Sequence, residues 1–276
     1  MKRIFIFLTG ISMGLTSLAQ TDSTTKTPDT IRIGTMIIVK TPGEEPGERE
    51  RTRIYRRTRK EYKPSAITTN WLILDLGFAN YTDNTNYGTS FLEEFTGPGV
   101  GKDQMELRTG KSSNINIWLF MQRLNMVKNV VNLKYGVGIE MNNYRYRKPV
   151  VFDTDPTMVV LDNSTHYSKN KLAADYLTVP MMLNFNFTPN RKRGFGVSVG
   201  ASAGYLYNSR QKTITDAEGK EKVHNDFDLR KWKLSYIGEL QLGPVTLYGS
   251  LASESMFEKG LDQTPYAVGI RLSSWH

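Results

Sequence analysis

Residues 175–187 read DYLTVPMMLNFNF. Taken alternately, Leu177, Val179, Met181, Leu183, Phe185 and Phe187 form one apolar face. Tyr176, Thr178, Pro180, Met182, Asn184 and Asn186 form the other. A period of two is that of a β-strand, whose successive side chains point to opposite faces. The strand is long for a water-soluble sheet, where five to six residues is usual. It also holds a proline, which cannot donate to a ladder and in an open sheet belongs on an edge. A closed barrel has no edge, so there Pro180 should mark a bulge or a break in one ladder, its ring turned into the lumen.

The same texture recurs from about residue 71 onward. Leu72, Leu74, Leu76 and Phe78 alternate in 71–81, and Ile115, Ile117, Leu119 and Met121 in 112–124. Val131, Leu133, Tyr135, Val137, Ile139 and Met141 do so in 131–145. After 172–187 come 195–208 (Phe195 to Tyr207), 230–242 (Trp232 to Leu242), 245–255 (Val245 to Leu251) and 265–275 (Tyr266 to Leu272). These are eight strands. Long polar connections at 82–111, 146–171, 209–229 and 256–264 alternate with short turns at 125–130, 188–194 and 243–244. Strict long/short alternation predicts an up-and-down antiparallel meander with all long loops at one end. Eight such strands close into a barrel. Aromatics at strand ends, among them Trp71, Phe78, Tyr81, Tyr144, Tyr146, Phe187, Tyr205, Tyr207 and Trp232, fit an interfacial girdle. The alternative is a secreted soluble barrel of lipocalin type, with the apolar face inward.

Strand length and the aromatics favour the membrane, and so does the opposite parity. It carries Asn114, Asn116, Gln122, Asn132, Asn184, Asn186, Ser198 and Ser202, three acids (Asp75, Glu140, Glu239) and three bases (Lys134, Lys233, Arg271). The signs balance. The interior of an eight-stranded barrel is only wide enough for side chains, and buried charges must be paired. The expectation is an all-β, eight-stranded antiparallel up-and-down transmembrane β-barrel whose lumen is plugged by ion pairs, with no open pore. Glycines at 77, 136, 138, 196, 200, 204 and 269 would make room for these side chains.

The chain has 276 residues, a formal net charge of +9 and no cysteine, which excludes disulfides and thiolate metal sites. It begins MKRIFIFLTGISMGLTSLAQ. A basic start, an apolar run and small residues before Ala19 predict a signal peptide over 1–19. Residues 20–65 should be a flexible, basic periplasmic leader. Its RERTRIYRRTRKEYK stretch includes Arg49, Arg51, Arg53, Arg56, Arg57, Arg59 and Lys60. It reads as a solvated tether or as a contact for an anionic partner or lipid headgroups. A β-prone run, DTIRIGTMIIVK, lies within it at 29–40. The barrel then occupies 66–276. Export speaks against nucleic acid as the partner of the basic charge.

Tyr176-Leu177, Pro180, Met181, Met182 and Leu183, followed by the glycine-rich GFGVSVGASAGYLYN at 194–208, resemble the fourth and fifth strands of the Bacteroidetes outer-membrane β-barrel family. That family is the PorT-like or porin-family barrel domain. The resemblance covers roughly 70–276. It implies an outer-membrane location, long loops outside the cell, contact with lipid and lipopolysaccharide, and a partner in secretion or envelope assembly. Barrels of this kind usually end in an aromatic residue used for assembly; here Trp275 is penultimate, before His276.

Candidate chemistry is sparse. His166 with Asp162 and Ser164, or His224 with Asp226 and Asp228, could furnish an acid/base set of a lipopolysaccharide-modifying hydrolase. His276 is the third histidine. GPGVGK at 97–102 lacks the second half of a phosphate loop. Asp153, Asp155, Asp162, Asp216, Glu218, Asp226 and Asp228 show no calcium-loop register. The expectation is a non-enzymatic barrel without metal or cofactor; hydrolysis and narrow-pore transport are the alternatives.

Overall fold

The structure is a computed structural model. It describes residues 29–33, 36–40, 54–56, 65–89, 95–191, 194–217 and 219–272. The signal segment 1–19, Arg49, Arg51, Arg53, Arg57, Arg59, Lys60, Trp275 and His276 lie outside the described residues. The chain divides into two units between Glu61 and Tyr62.

In the first unit, β1 (Asp29–Ile33), β2 (Met36–Lys40) and β3 (Ile54–Arg56) form an antiparallel sheet in the order β1-β2-β3. The β-prone run that the sequence marks at 29–40 thus supplies two of these strands. The β-branched run Ile31, Ile33, Ile37, Ile38 and Val39 favours extended backbone, and Ile33 pairs with Met36 across a two-residue connection. The described part of the basic stretch, Ile54–Arg56, pairs with Met36–Ile38.

In the second unit, eight long strands close into a ring: β4 (Ile67–Asp83), β5 (Ser113–Val127), β6 (Val131–Arg145), β9 (Tyr167–Asn186), β10 (Phe195–Thr215), β12 (Trp232–Leu242), β13 (Val245–Ala252) and β14 (Gln263–Leu272). Every neighbour in the ring is the next long strand in sequence, and every pairing is antiparallel. The remaining strands decorate the long connections. β7 (Val150–Thr154) and β8 (Thr157–Leu161) form a hairpin between β6 and β9. β11 (Gly219–His224) folds back on the end of β10.

Pairing partners can be followed once around the ring from Ile67: Leu124, Leu133, Leu183, Val199, Gly238, Gly249, Val268 and back into β4 at Phe78. The return lies eleven residues further along the strand, from Ile67 to Phe78. An offset of this size in eight strands corresponds to a tilt of roughly 40°. At that tilt Leu177–Phe187 spans roughly 25 Å along the barrel axis, matching the apolar band of about 25 Å that a membrane barrel presents.

The outward side chains match. Leu76, Phe78, Ile117, Leu119, Leu177, Val179, Met181, Leu183, Val199, Leu234, Tyr236, Leu247, Val268 and Ile270 are all exposed. The inward residues Asp75, Asn114, Asn132, Lys134, Asn184, Ser198, Glu239 and Arg271 are all buried. This polarity is the reverse of a lipocalin's. Aromatics mark both rims of the apolar band: Trp71 with Phe120 at the short-turn end, and Tyr205 packed edge-on against Trp232, centroids 5.1 Å apart, at the long-loop end.

Two details depart from simple alternation. Leu72 and Leu119 face each other across β4 and β5 with no pairing between them, and β5 shifts register against β6 at Leu119. Leu72 has φ +51°. The irregularity puts Trp71 and Leu72 both on the outside, at 70% and 75% exposure. It also turns Met121 into the lumen, fully buried, although the alternation predicts it on the lipid face. Gln122 consequently leaves the predicted interior series; it reaches Thr69 across the strand pair. A one-residue bulge reverses the facing of everything beyond it.

Pro180 is inward and buried. It has a register partner on one side, Ser202 of β10. On the other side the β6–β9 ladder lapses between Gly138–Thr178 and Tyr135–Met181 and resumes in the same register. The proline thus costs a local interruption of one ladder, without a bulge.

Candidate functional site

Eight inward faces meet in the lumen. Arg271 on β14 lies opposite Asp75 on β4 in the ladder. Its Nε donates to Asp75 Oδ1 at 2.7 Å and its Nη2 to Asp75 Oδ2 at 2.9 Å, a two-pronged pair. Nη1 of the same guanidinium donates to Glu239, which also accepts from Lys134 Nζ. Asp75–Arg271–Glu239–Lys134 is therefore one continuous chain of alternating charge that links β4, β14, β12 and β6 through the lumen. A second pair, Lys233 with Glu140, stands beside it. Lys134, Lys233, Arg271, Asp75, Glu140 and Glu239 are all buried.

Neutral groups satisfy what the charges leave open. Trp118 Nε1 donates to Asp75 Oδ2 at 2.7 Å. Asn142 Nδ2 donates to Glu140 at 3.0 Å, and Thr178 Oγ1 to the same carboxylate at 3.5 Å. Lys134 also reaches Ser198 Oγ at 3.3 Å, where Asn184 Nδ2 donates at 3.0 Å. Lys233 lies over the Tyr176 ring, 4.9 Å from its centroid. Trp118, an inward residue the alternation leaves unassigned, needs room on β6: a Cβ at Gly138 would stand 2.6 Å from its ring. An apolar layer of Ile73, Trp118, Met121, Met182 and Ile237 fills further space. The cavity left among Asp75, Glu140, Pro180, Glu239 and Arg271 measures about 30 Å³, room for a water or two.

Above the lumen the long connections hold a second core, which the polar composition of the loops conceals. Phe95 and Met105 come from the β4–β5 connection, Phe152 and Val159 from β7 and β8, Phe227 and Leu229 from the β10–β12 connection, and Met256, Phe257 and Leu261 from the β13–β14 connection. Phe152 stacks on Phe257 at 10°, with centroids 6.1 Å apart; it meets Phe227 edge-on at 5.8 Å. Phe95 meets Phe257 edge-on at 6.1 Å. Gln211 Nε2 donates to Val150 O at 2.8 Å, while the Phe152 amide donates to Gln211 Oε1 at 2.9 Å, tying the hairpin to β10. Tyr144 and Tyr146, predicted for the interfacial girdle, are buried in this cap. Their strand ends lie above the membrane band, facing inward. A sequence signal for the cap exists: each long connection carries a phenylalanine set among charged residues.

The histidines stay apart from this. His224 Nδ1, on an exposed ring, lies 3.3 Å from Oδ1 of the half-buried Asn208. His166 lines a cleft with Arg108, Arg145, Arg147, Lys148 and Tyr167. Asp162 accepts from the Ser164 amide and hydroxyl and from Tyr167 Oη at 2.7 Å. Hydrogen bonds from Ser164, Thr165 and Tyr167 hold its carboxyl well below the usual range. These bonds close a turn. Among the described residues no three His, Asp or Glu side chains cluster as metal ligands would, and no helix is long and apolar enough to cross a membrane.

The sequence from 75 to 261, more than half of the chain, matches the family model of the outer membrane protein beta-barrel domain. The chain belongs to that family. No curated protein matches it. The matched span of this outer-membrane β-barrel protein runs from the Asp75 end of the ion chain through β13 and the cap. It stops before β14, whose Arg271 completes the network.

Proposed function

We propose that this protein is a non-enzymatic outer-membrane barrel serving as an anchor or accessory subunit of an envelope or secretion assembly, in the manner of the PorT-like barrels it resembles. In this reading the long loops face outward, the lipid-exposed belt contacts membrane lipid and lipopolysaccharide, and residues 20–65 present the periplasmic contact. The observation that carries it is the double closure of the barrel. The lumen is filled by an ion-paired network, and the long-loop end is covered by an aromatic core. A barrel filled in this way offers a solute no route, and among the described residues His166 and His224 lack the carboxylate and nucleophile partners that hydrolysis requires. The remaining resources are its surfaces and its basic N-terminal unit.

The test compares affinity capture from native membranes by the full chain and by a form lacking residues 20–65. A specific protein lost with those residues supports an accessory subunit. Identical captures from both forms would remove the leader from the proposal. Steady single-channel openings in planar bilayers would overturn the closed lumen.

A further inference from the structure

Four cations stand side by side on the outward face, well past the apolar band at the long-loop end. Arg145 of β6 pairs in register with Lys171 of β9. Lys171 pairs with Lys212 of β10, and Lys212 with Lys222 of β11. Register partners share a face with Cβ atoms about 5 Å apart, and like charges so placed destabilise a sheet. Lys169 and Lys220 repeat the pattern one step further out, each in register with Ile214. Nearby, Asp175 is occupied by Arg210 and Asn208. Glu221 pairs with Thr213, on the opposite face from Lys212 and Lys222. No acid among the described residues pairs with Lys169, Lys212, Lys220 or Lys222. Burial, with the charges of Lys169, Arg210 and Lys212, lowers the Lys171 ammonium to about 8. Lys171 donates to Asn143 Oδ1 and Arg145 Nη2 to Ser168 O at 2.7 Å, so the fold assembles positive charge at a cost and gives this row neutral acceptors but no carboxylate.

The row continues through Arg145 into a cleft of about 200 Å³ lined by Arg108, Arg145, Arg147, Lys148 and His166. Arg147 there is half-committed to Glu106, an exposed pair at 3.3 Å.

Height selects the ligand. Lys171 lies six residues beyond Leu177, the last exposed apolar residue of β9. At about 3.3 Å per residue and a tilt of roughly 40° it stands roughly 15 Å above the apolar band. A phospholipid headgroup layer is only about 5–8 Å thick. Anionic groups carried higher, on the sugars of a saccharolipid, fall within reach of this row.

We infer that the Arg145–Lys171–Lys212–Lys222 row and its adjoining cleft bind the phosphorylated sugar headgroup of an outer-leaflet saccharolipid. The inference rests on the outward placement of the long loops proposed above.

The test uses the full-length protein in lipid nanodiscs or detergent. Binding of a short-chain, phosphorylated lipopolysaccharide is compared for the wild type and for a K171Q/K212Q/K222Q variant, with dephosphorylated lipopolysaccharide and phosphatidylglycerol in parallel. Retained heat-modifiable migration on gels establishes that the variant folds. Loss of three juxtaposed cations should weaken binding roughly 100-fold, and dephosphorylation should weaken it comparably. The inference is overturned if the variant binds within twofold of wild type. It is also overturned if phosphatidylglycerol or the dephosphorylated lipid competes equally, or if an acidic polypeptide binds through the row and the saccharolipid does not. Orientation is read separately. The chain has no cysteine, so a K220C variant can be labelled on intact cells with an impermeant maleimide. Labelling supports the outward loops. Absent labelling alongside lysine-dependent lipid binding in vitro overturns the orientation and leaves the chemistry of the site standing.

Discussion

Arg271→Met should be the most damaging single substitution in the lumen. Arg271 makes three charged contacts: two to Asp75, at 2.7 and 2.9 Å, and one to Glu239. Methionine fills much of the volume but removes the guanidinium. Asp75 then keeps only the Trp118 indole, and Glu239 keeps only Lys134. Removing one member of a buried pair costs about 3–5 kcal/mol, because a charge is left without its partner. Adding Asp75→Asn removes the stranded carboxylate, while Glu239 remains paired with Lys134. The double variant should therefore recover about half of the loss, a coupling of roughly 2 kcal/mol within the range for contacting residues. Lys233→Met is the internal comparison. Glu140 would retain Asn142 and Thr178 as donors, so its cost should be smaller. The assay is reversible urea unfolding in lipid vesicles, followed by tryptophan fluorescence and by gel mobility with and without heating. An Arg271→Met protein within about 1 kcal/mol of wild type, or a double variant no more stable than the single, would refute a network held by mutual pairing.

Three further outcomes are expected. Phe152→Ala removes the ring shared by Phe227, Phe257 and Tyr146 and should cost the cap about 3 kcal/mol or more, read as faster amide exchange in residues 95–107, 226–230 and 256–261 with exchange in the membrane-embedded strands unchanged. Gly138→Leu would place side-chain atoms where the Trp118 ring now lies; refolding yield into vesicles should fall sharply, and Trp118→Ala in the same chain should restore part of it. The Asp162 turn should loosen in acid. Its folded carboxyl sits below its ordinary value, so its contribution is intact above about pH 4 and is lost as pH falls through the folded value; amide exchange at Ser164 should rise over that interval, and Asp162→Asn should abolish the pH dependence.

Much of this molecule is legible from its residues, for identifiable reasons. The period of two, sustained through Leu177–Phe185 and its counterparts, follows from backbone geometry and survives any sequence context. The lumen charges are equally visible, because Asp75, Lys134, Glu140, Lys233, Glu239 and Arg271 share the parity that must face inward. Which acid meets which base depends on the ring's offset, and that emerges only when β14 is set against β4. Met121 and Gln122 are misplaced by the alternation because a bulge is a single extra residue with no compositional mark. The cap is hidden for a different reason. Phe95, Phe152, Phe227 and Phe257 come from four connections with no common period, and nothing local says that they meet. The cation row is hidden likewise: Arg145, Lys171, Lys212 and Lys222 become neighbours only through strand register.

The shared aromatic core has a consequence for how this protein can vary. Surface loops of barrels are usually treated as interchangeable parts, each free to lengthen or be replaced. Here the four long connections form one interlocked body, so a graft into any of them must preserve its phenylalanine and the rings it touches. Lineages should change these loops in concert. The exposed tip between β10 and β11, around Ala217 and Gly219, lies outside the aromatic cluster, and there a foreign peptide could be inserted without unlocking the rest.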